Sequence, residues 1–303
     1  MAVKTVQAII NGVTTTLTYN KETGKYEATI TAPAKSSYNN EGHYYPVSIK
    51  ATDDAGNVTT VDDKHARLGG SLKLQVKEKV APVIAITYPT ASASIVNNKP
   101  TIKWTVTDDD SGVAEATIGI TIDSGAKITG SAIIKKAIEN GFQCSYSPEV
   151  ALADGSHTIK VDASDNDGNA ATQKSVTFKV DTVRPVLNVT APVEGLVTNK
   201  AACTVIGTTN DAASSPVKLT IKLNSGSEES VAIDPDGSFS KALTLAAGTN
   251  TITVKATDSA GKSTVVIRTV ELDTTPPVIR SVTLTPNPVD AGKTYVISVD
   301  ITD

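Results

Sequence analysis

Residues 49–57 read IKATDDAGN, and two similar phrases follow along the chain, VDASDNDGN at residues 161–169 and VKATDSAGK at residues 254–262. In each phrase an alternating strand runs into an Asp-x-x-Gly turn. Glycine adopts positive φ in such a turn, and the Asp side chain bonds the backbone two residues on. A second strand then leaves, so each phrase predicts a β-hairpin. A period of roughly 100 residues is typical of one β-sandwich per repeat.

A second repeated phrase marks the start of each module. It reads PVI at residues 82–84, PVL at residues 185–187 and PVI at residues 277–279. Proline suits a stiff linker or the first residue of a strand, where the ladder needs no backbone N–H. We therefore predict four parts in an elongated rod. They are an incomplete first domain at 1–79, full domains at 80–182 and 183–274, and a two-strand segment at 275–303.

These two phrases resemble those of bacterial immunoglobulin-like (Big or fibronectin-III-like) modules, which occur in tandem in surface adhesins and phage tail proteins. The resemblance covers nearly the whole chain. It implies an all-β fold of tandem immunoglobulin-like antiparallel β-sandwiches, with Trp104 as a core side chain. For residues 132–139 the sequence does not decide between a helical turn and a loop insertion. Because this fold hosts many roles, the resemblance does not choose a function.

The composition argues against several classes of protein. The 303 residues carry a net charge of −4 with mixed signs, so we expect no binding to nucleic acid. The longest apolar run is far below the roughly 18 residues of a spanning helix, so we expect no membrane insertion. None of the three histidines lies in a nucleophile motif, and we expect no enzyme. Met1 leads straight into a strand, which predicts no secretory signal.

Cys144 and Cys203 are the only cysteines, and they lie in different repeats. Each alternates with apolar neighbours, which predicts two buried, unpaired thiols. Pairing of Cys144 with His157 as a catalytic dyad is therefore disfavoured. Unpaired thiols fit assembly in a reducing compartment, so the sequence favours a virion component assembled in the cytoplasm. The alternative location is extracellular, on a cell surface.

Carboxylates form the main candidate site. Asp108 and Asp110 end the second strand of the second repeat, and Asp165 and Asp167 lie in its repeated turn. Both loops are expected at the end where the chain enters, so Glu78 of the linker can join them. The third repeat has a similar group with fewer carboxylates, Asp181, Asp211 and Asp258. Clustered carboxylates suit Ca²⁺ at the joints between domains. The alternative is that Asp is simply a favoured turn residue.

A group of aromatic residues in the first domain gives a second candidate site. Tyr44 and Tyr45 are near Tyr38 and His43, and exposed aromatic rings can bind sugars. The alternative is ordinary packing at the entry of a strand.

The two ends of the chain predict a mode of assembly. The first domain aligns only with the later strands of a module, and the last segment supplies only the first two. An open sheet edge is rarely left uncovered, and an isolated hairpin is unstable in water. If the last segment of one molecule adds its strands to the first domain of the next, the open edge is covered and the hairpin is stabilised. Molecules joined head to tail in this way would form a ring or a filament. The residues expected to fill the neighbour's core are Val278, Val282, Leu284, Val296 and Val299. The alternative is a fragment of a longer protein, cut within ordinary modules.

The sequence thus favours a non-enzymatic structural protein, a phage tail or virion component that polymerises by strand complementation. Its partners would be further copies of itself or other virion or surface subunits. A stalk segment of a bacterial cell-surface adhesin is the first alternative. A carbohydrate-binding accessory module that recognises a host-surface glycan is the second.

Overall fold

The computed structural model describes residues 2–211 and 216–303 of the chain, and within them it contains β-strands and short 3-10 turns but no α-helix. No helix of that part is long and apolar enough to cross a membrane. The chain divides into two compact units, Met1–Val180 and Asp181–Asp303. The prediction of an all-β chain of tandem immunoglobulin-like sandwiches is confirmed.

The first domain is a single sheet. Its strands are β1 (Val3–Ile10), β2 (Val13–Asn20), β3 (Lys25–Glu27), β4 (Tyr45–Asp53), β5 (Val58–Val61) and β6 (Lys73–Leu74), with 3-10 turns at Glu41–His43 and Gly69–Leu72. They lie in the order β3-β2-β1-β4-β5, and β6 also pairs with β4. Asn11 and Gly12 connect β1 to β2 with φ of 49° and 76°. Positive φ at both residues gives the tight turn that matches strand twist. Among the described residues, no second sheet belongs to this domain.

The second module completes the first unit and is a two-sheet sandwich. Its strands are β7 (Val83–Tyr88), β8 (Ser94–Ile95), β9 (Ile102–Thr107), β10 (Gly119–Ile122), β11 (Ile134–Ile138), β12 (Gly141–Tyr146), β13 (Gly155–Asp162) and β14 (Lys174–Val180), with 3-10 turns at Glu115–Thr117 and Gly130–Ala132. One sheet has the order β11-β12-β9-β7, and the other β10-β13-β14-β8.

Trp104 and Phe178 lie at the centre of this sandwich, each fully buried. The undecided stretch 132–139 contributes β11, which pairs with β12 from Ile134 opposite Ser145 to Ile138 opposite Gly141. Positive φ at Asn140 allows the tight connection between these two strands. Apart from Ala132, which ends the preceding 3-10 turn, the stretch is therefore mainly a β-strand.

The third module begins the second unit and repeats the sandwich. Its strands are β15 (Val186–Ala191), β16 (Leu196–Thr198), β17 (Ala202–Asn210), β18 (Lys218–Leu223), β19 (Glu229–Val231), β20 (Ser238–Thr244), β21 (Gly248–Thr257) and β22 (Ser263–Leu272). A sheet of order β15-β17-β20 covers one of order β16-β22-β21-β18-β19. Val205, Ile252, Val254 and Ala256 between the layers are fully buried. The chain ends in a hairpin, β23 (Val278–Thr285) and β24 (Val296–Thr302), and among the described residues these two strands pair with each other alone.

Gly207 of β17 makes room for the ring of Phe239, its partner on the neighbouring strand β20 of the same sheet. A Cβ at this position would lie 2.6 Å from Phe239 Cζ and would also meet the carbonyl oxygen of Asn188. Phe239 is itself buried, so its ring has little room to move aside. We predict that Gly207→Ala lowers the free energy of unfolding by about 1–3 kcal/mol.

Chemical denaturation of the purified chain measures this loss. Thr208→Ala is the matched control, because Thr208 is the next residue of the same strand and its side chain is exposed. Equal stability of the two variants would contradict the packing argument.

Candidate functional site

Three carboxylates meet where the chain enters the second module. Oxygens of Glu78, Asp108 and Asp165 all lie within 4.8 Å of one another. Asp108 follows β9, and its Oδ1 accepts hydrogen bonds from Gly112 N at 2.7 Å and Asp110 N at 3.1 Å. Asp108 and Asp165 are buried, whereas Glu78 of the linker is half-buried. This end of the sandwich therefore concentrates negative charge away from water.

Asp110 and Asp167 face the first domain rather than this cluster. Asp110 Oδ1 accepts a hydrogen bond from Ser36 N at 3.0 Å, and Asp167 Oδ2 accepts one from Glu78 N at 3.0 Å. Of the four Asp residues predicted to bind a cation together, the structure thus brings together only Asp108 and Asp165, with Glu78 as the third member. Asp110 and Asp167 instead fasten the first domain to the second module.

The environments of Glu78 and Asp165 separate their pKa values. Burial raises the pKa of Asp165, but hydrogen bonds from the Asn169 side chain and backbone outweigh it, and the net pKa is lowered. Burial also raises the pKa of Glu78. A hydrogen bond from Val80 N lowers this pKa and the neighbouring Asp165 raises it further, so the net pKa is raised. Glu78 is therefore the first of the two to take up a proton as the pH falls.

The two predicted sugar-binding tyrosines have different environments. Tyr45 is buried, and its hydroxyl donates to Lys35 O at 3.1 Å. Tyr44 lines a surface depression of about 890 Å³, but its hydroxyl donates to Asp63 Oδ2 at 2.8 Å and Lys73 Nζ lies 4.7 Å from the centre of its ring. Tyr45 lines the same depression but packs inward, so Tyr44 presents the more exposed ring of the two, and sugar binding by these residues stays a prediction.

The sheet of the first domain has one apolar face that is only partly covered. We call it the open face; in the register of β1, β2 and β4 it comprises Val6 and Ala8, which are buried, and Leu17, Ile49 and Ala51, which are half-buried. Ile49 and Ala51 are half-buried, whereas Val254 and Ala256, which hold the same places in the repeated phrase of the third module, are fully buried. The difference is the covering layer, because β15, β17 and β20 lie over the third module's sheet.

The terminal hairpin has the opposite deficiency. One side of it, the hairpin face, consists of apolar side chains that are all 42–63% exposed: Ile279, Val282, Leu284, Ile297, Val299 and Ile301. A register shift between Ile279 and Ser281 brings Ile279 onto this side. The same register places the predicted Val278 and Val296 on the other side. On β23 the bulge explains why alternation selects Val278 instead of Ile279. On β24 there is no bulge, and Ile297 and Ile301 alternate with Val299, so the prediction of Val296 broke the alternation of its own strand.

Cys144 and His157 do not form a catalytic pair. Cys144 is buried in the second module, and burial raises the pKa of its thiol to about 11, which leaves no thiolate near neutrality. His157 Nδ1 lies 2.8 Å from Asp123 Oδ2, and Nε2 lies 2.7 Å from Ala153 O. Both ring nitrogens thus face acceptors, and the arrangement holds a loop in place.

Two family models match the full modules. Residues 83–182 match a bacterial Ig-like domain, and residues 185–274 match domain B of glucodextranase. Bacillopeptidase F of Bacillus subtilis (strain 168) is 29% identical over 199 residues, which span 66% of this chain but only 12% of that protein.

Solved structures with a similar fold include fibronectin(III)-like modules of Clostridium thermocellum CbhA, at 16% identity and a TM-score of 0.39, covering 63% of this chain and 94% of that one. Domains of titin match at 12% identity and a TM-score of 0.43, covering 88% and 85%. The family matches and the sheet topology together identify tandem immunoglobulin-like modules, an architecture of structural and accessory proteins.

We predict a pH-dependent contribution of His157 to stability. Burial lowers its pKa, but the bonds to Ala153 O and Asp123 outweigh it, so the folded pKa is raised above 6.5. The stabilisation is therefore complete below pH 6.5 and is lost as the pH rises through the folded pKa. Asp123→Asn should cost about 0.5–1 kcal/mol at acidic pH, a small value because Asp123 is partly exposed, and less at alkaline pH, where His157 is neutral.

Denaturant unfolding on both sides of this pH range measures the effect, with the exposed Glu139→Gln as control. A loss of the same size at acidic and alkaline pH would show that the ion pair is not its cause.

Proposed function

We propose that this chain is a non-enzymatic structural protein that assembles head to tail, the hairpin of one copy covering the open face of the next, as a component of a phage tail or virion. The observation that carries the proposal is the complementarity of two apolar faces within one sequence. The open face lacks a layer, and the hairpin face lacks a core to fill.

The third module provides the template for this join. There, β15 and β17 pair with Val186 opposite Asn210 and Leu187 opposite Thr209, and they lie over the sheet that contains β18 and β21. The terminal hairpin pairs in the same way, with Val278 opposite Thr302 and Ile279 opposite Ile301. The hairpin therefore has the strand direction of the β15–β17 pair and the same register at its first two residue pairs, but its bulge lies nearer the start of the strand.

The acidic positions of the repeat are divided between the ends in the same manner. In the third module they are Asp181, Asp211 and Asp258. Their equivalents by sequence position are Asp273 before Pro277, Asp303 after β24, and Asp53 in the first domain's turn. A head-to-tail join would bring these three together as well, which supports the assignment of the two ends to one split module.

The energetics favour a join of this kind. Each half-exposed aliphatic side chain of the hairpin face gains roughly 1 kcal/mol when it leaves water. Six such side chains offset much of the cost of association, and the edge strands add backbone hydrogen bonds. Successive copies then form a ring or a filament, according to the rotation between them.

The compartment is part of the proposal. The thiols of Cys144 and Cys203 are free and buried, and unpaired thiols support assembly in a reducing cytoplasm, as for a virion protein. The match of residues 83–182 to a bacterial Ig-like domain favours a second candidate, a stalk segment of a cell-surface adhesin. Detection of the chain in purified virions or on intact cells separates the two.

We predict that Val299→Asp abolishes concentration-dependent assembly, because it places a charge on the hairpin face. Val296→Asp is the matched control: Val296 lies on the same strand, is 63% exposed, and belongs to the opposite side. Sedimentation velocity over a range of concentrations measures the outcome. Removal of residues 275–303 should also give monomers.

Two results would refute head-to-tail completion. One is an unchanging monomer mass for the full chain at every concentration, as expected if the hairpin stays free or folds back on its own chain. The other is equal assembly of the Val299→Asp and Val296→Asp proteins.

A further inference from the structure

Three carboxylates are buried together at the entry of the third module. Asp181 lies four residues before Pro185, Asp211 directly follows β17, and Asp258 begins the repeated turn after β21. They are 0%, 7% and 6% exposed, and an oxygen from each lies within 4.8 Å of the other two. Three negative charges thus share one small space that water scarcely reaches.

Two of these side chains present a buried oxygen with no hydrogen bond. Asp181 Oδ1 accepts from Val183 N at 3.0 Å, and Asp258 Oδ1 accepts from Lys262 N at 2.8 Å. The Oδ2 atom of each is buried and without a hydrogen-bond partner. No Lys, Arg or His nitrogen of the described residues lies within 4 Å of either carboxylate.

The second module shows why this is unusual. There Asp165, the counterpart of Asp258, has both oxygens occupied, Oδ1 by Asn169 N at 2.8 Å and Oδ2 by Asn169 Nδ2 at 2.6 Å. Lys262 replaces that asparagine in the third module, and its Nζ donates to Thr182 O instead. The substitution leaves Asp258 Oδ2 directed at its acidic neighbours without a donor.

A buried, unsatisfied carboxylate is costly, and the cost grows with each like charge beside it. A hard divalent cation removes that cost. Ca²⁺ binds oxygen ligands at 2.3–2.6 Å, so oxygens that share one ion lie within about 5 Å of each other. An all-oxygen set without Cys or His disfavours zinc, and a buried carboxylate cage suits Ca²⁺ better than Mg²⁺, which retains its waters.

We propose that Asp181, Asp211 and Asp258 form a calcium-binding site in the third module. The ion would join the linker residue Asp181 to two loops of the sandwich and so fix the entry of the module. The site lies within the second unit and is independent of head-to-tail assembly.

The test uses the full-length chain, stripped with a chelator, and calcium chloride alone as the probe. Isothermal titration should show a calcium equivalent that is lost, or weakened roughly tenfold or more, in Asp258→Asn. The equivalent should remain in Asp290→Asn, which removes an exposed carboxylate of the same unit. It should also remain in Asp165→Asn, the positional match in the second module.

Thermal melting gives an independent readout, because replacing an Asp with a merely structural role would lower the melting temperature even in chelator. In chelator, Asp258→Asn should melt at or above the wild-type temperature, because it removes a buried like charge while its Oδ1 can still accept from Lys262 N. In millimolar calcium, the melting temperature of the wild-type protein should rise and that of the variant should not. Absence of calcium binding by wild type, or the same calcium response in Asp258→Asn, would overturn the proposal.

Discussion

A β-sheet with one apolar face must have a second layer over it, and this constraint governs the whole chain. The third module satisfies it fully, so Val254 and Ala256 are excluded from water. The first domain carries the same phrase on the same kind of sheet, and its Ile49 and Ala51 stay half-buried because the covering strands are absent from it. The terminal hairpin has an exposed apolar side, and we propose that it supplies such a layer to another copy.

The first domain is nevertheless held in place through its loops. Asp110 and Asp167 accept backbone hydrogen bonds from Ser36 and Glu78, and Lys35 and Lys77 reach carbonyl oxygens of the second module. Charge-assisted bonds of this kind are stronger than neutral ones. The first domain can thus form one compact unit with its neighbour while Leu17, Ile49 and Ala51 of its open face stay only half-buried.

One residue of the repeated turn sets the electrostatics of each acidic cluster. Asn57 and Asn169 each donate to both oxygens of the Asp that opens the turn, which lowers the pKa of Asp53 and Asp165. Lys262 keeps only the backbone part of this pattern. The same backbone turn therefore satisfies both carboxylate oxygens of Asp165 in the second module but leaves Oδ2 of Asp258 without a donor in the third.

The sequence by itself determined the all-β tandem immunoglobulin-like fold, the strand periodicity, the core role of Trp104 and the acidic positions, because repeats and alternation are local properties. It predicted Asp108 and Asp165 but not that Asp110 and Asp167 turn away, nor that Val278 and Val296 lie off the hairpin face. The direction of the loops decides the first outcome, and a bulge that reverses the alternation at Ile279 decides the side of Val278; Val296 lies off the face because it is three residues from Val299 on a regular strand. Only the tertiary structure decides the loop direction and the bulge, since they follow from which neighbours compete for each hydrogen bond and each face.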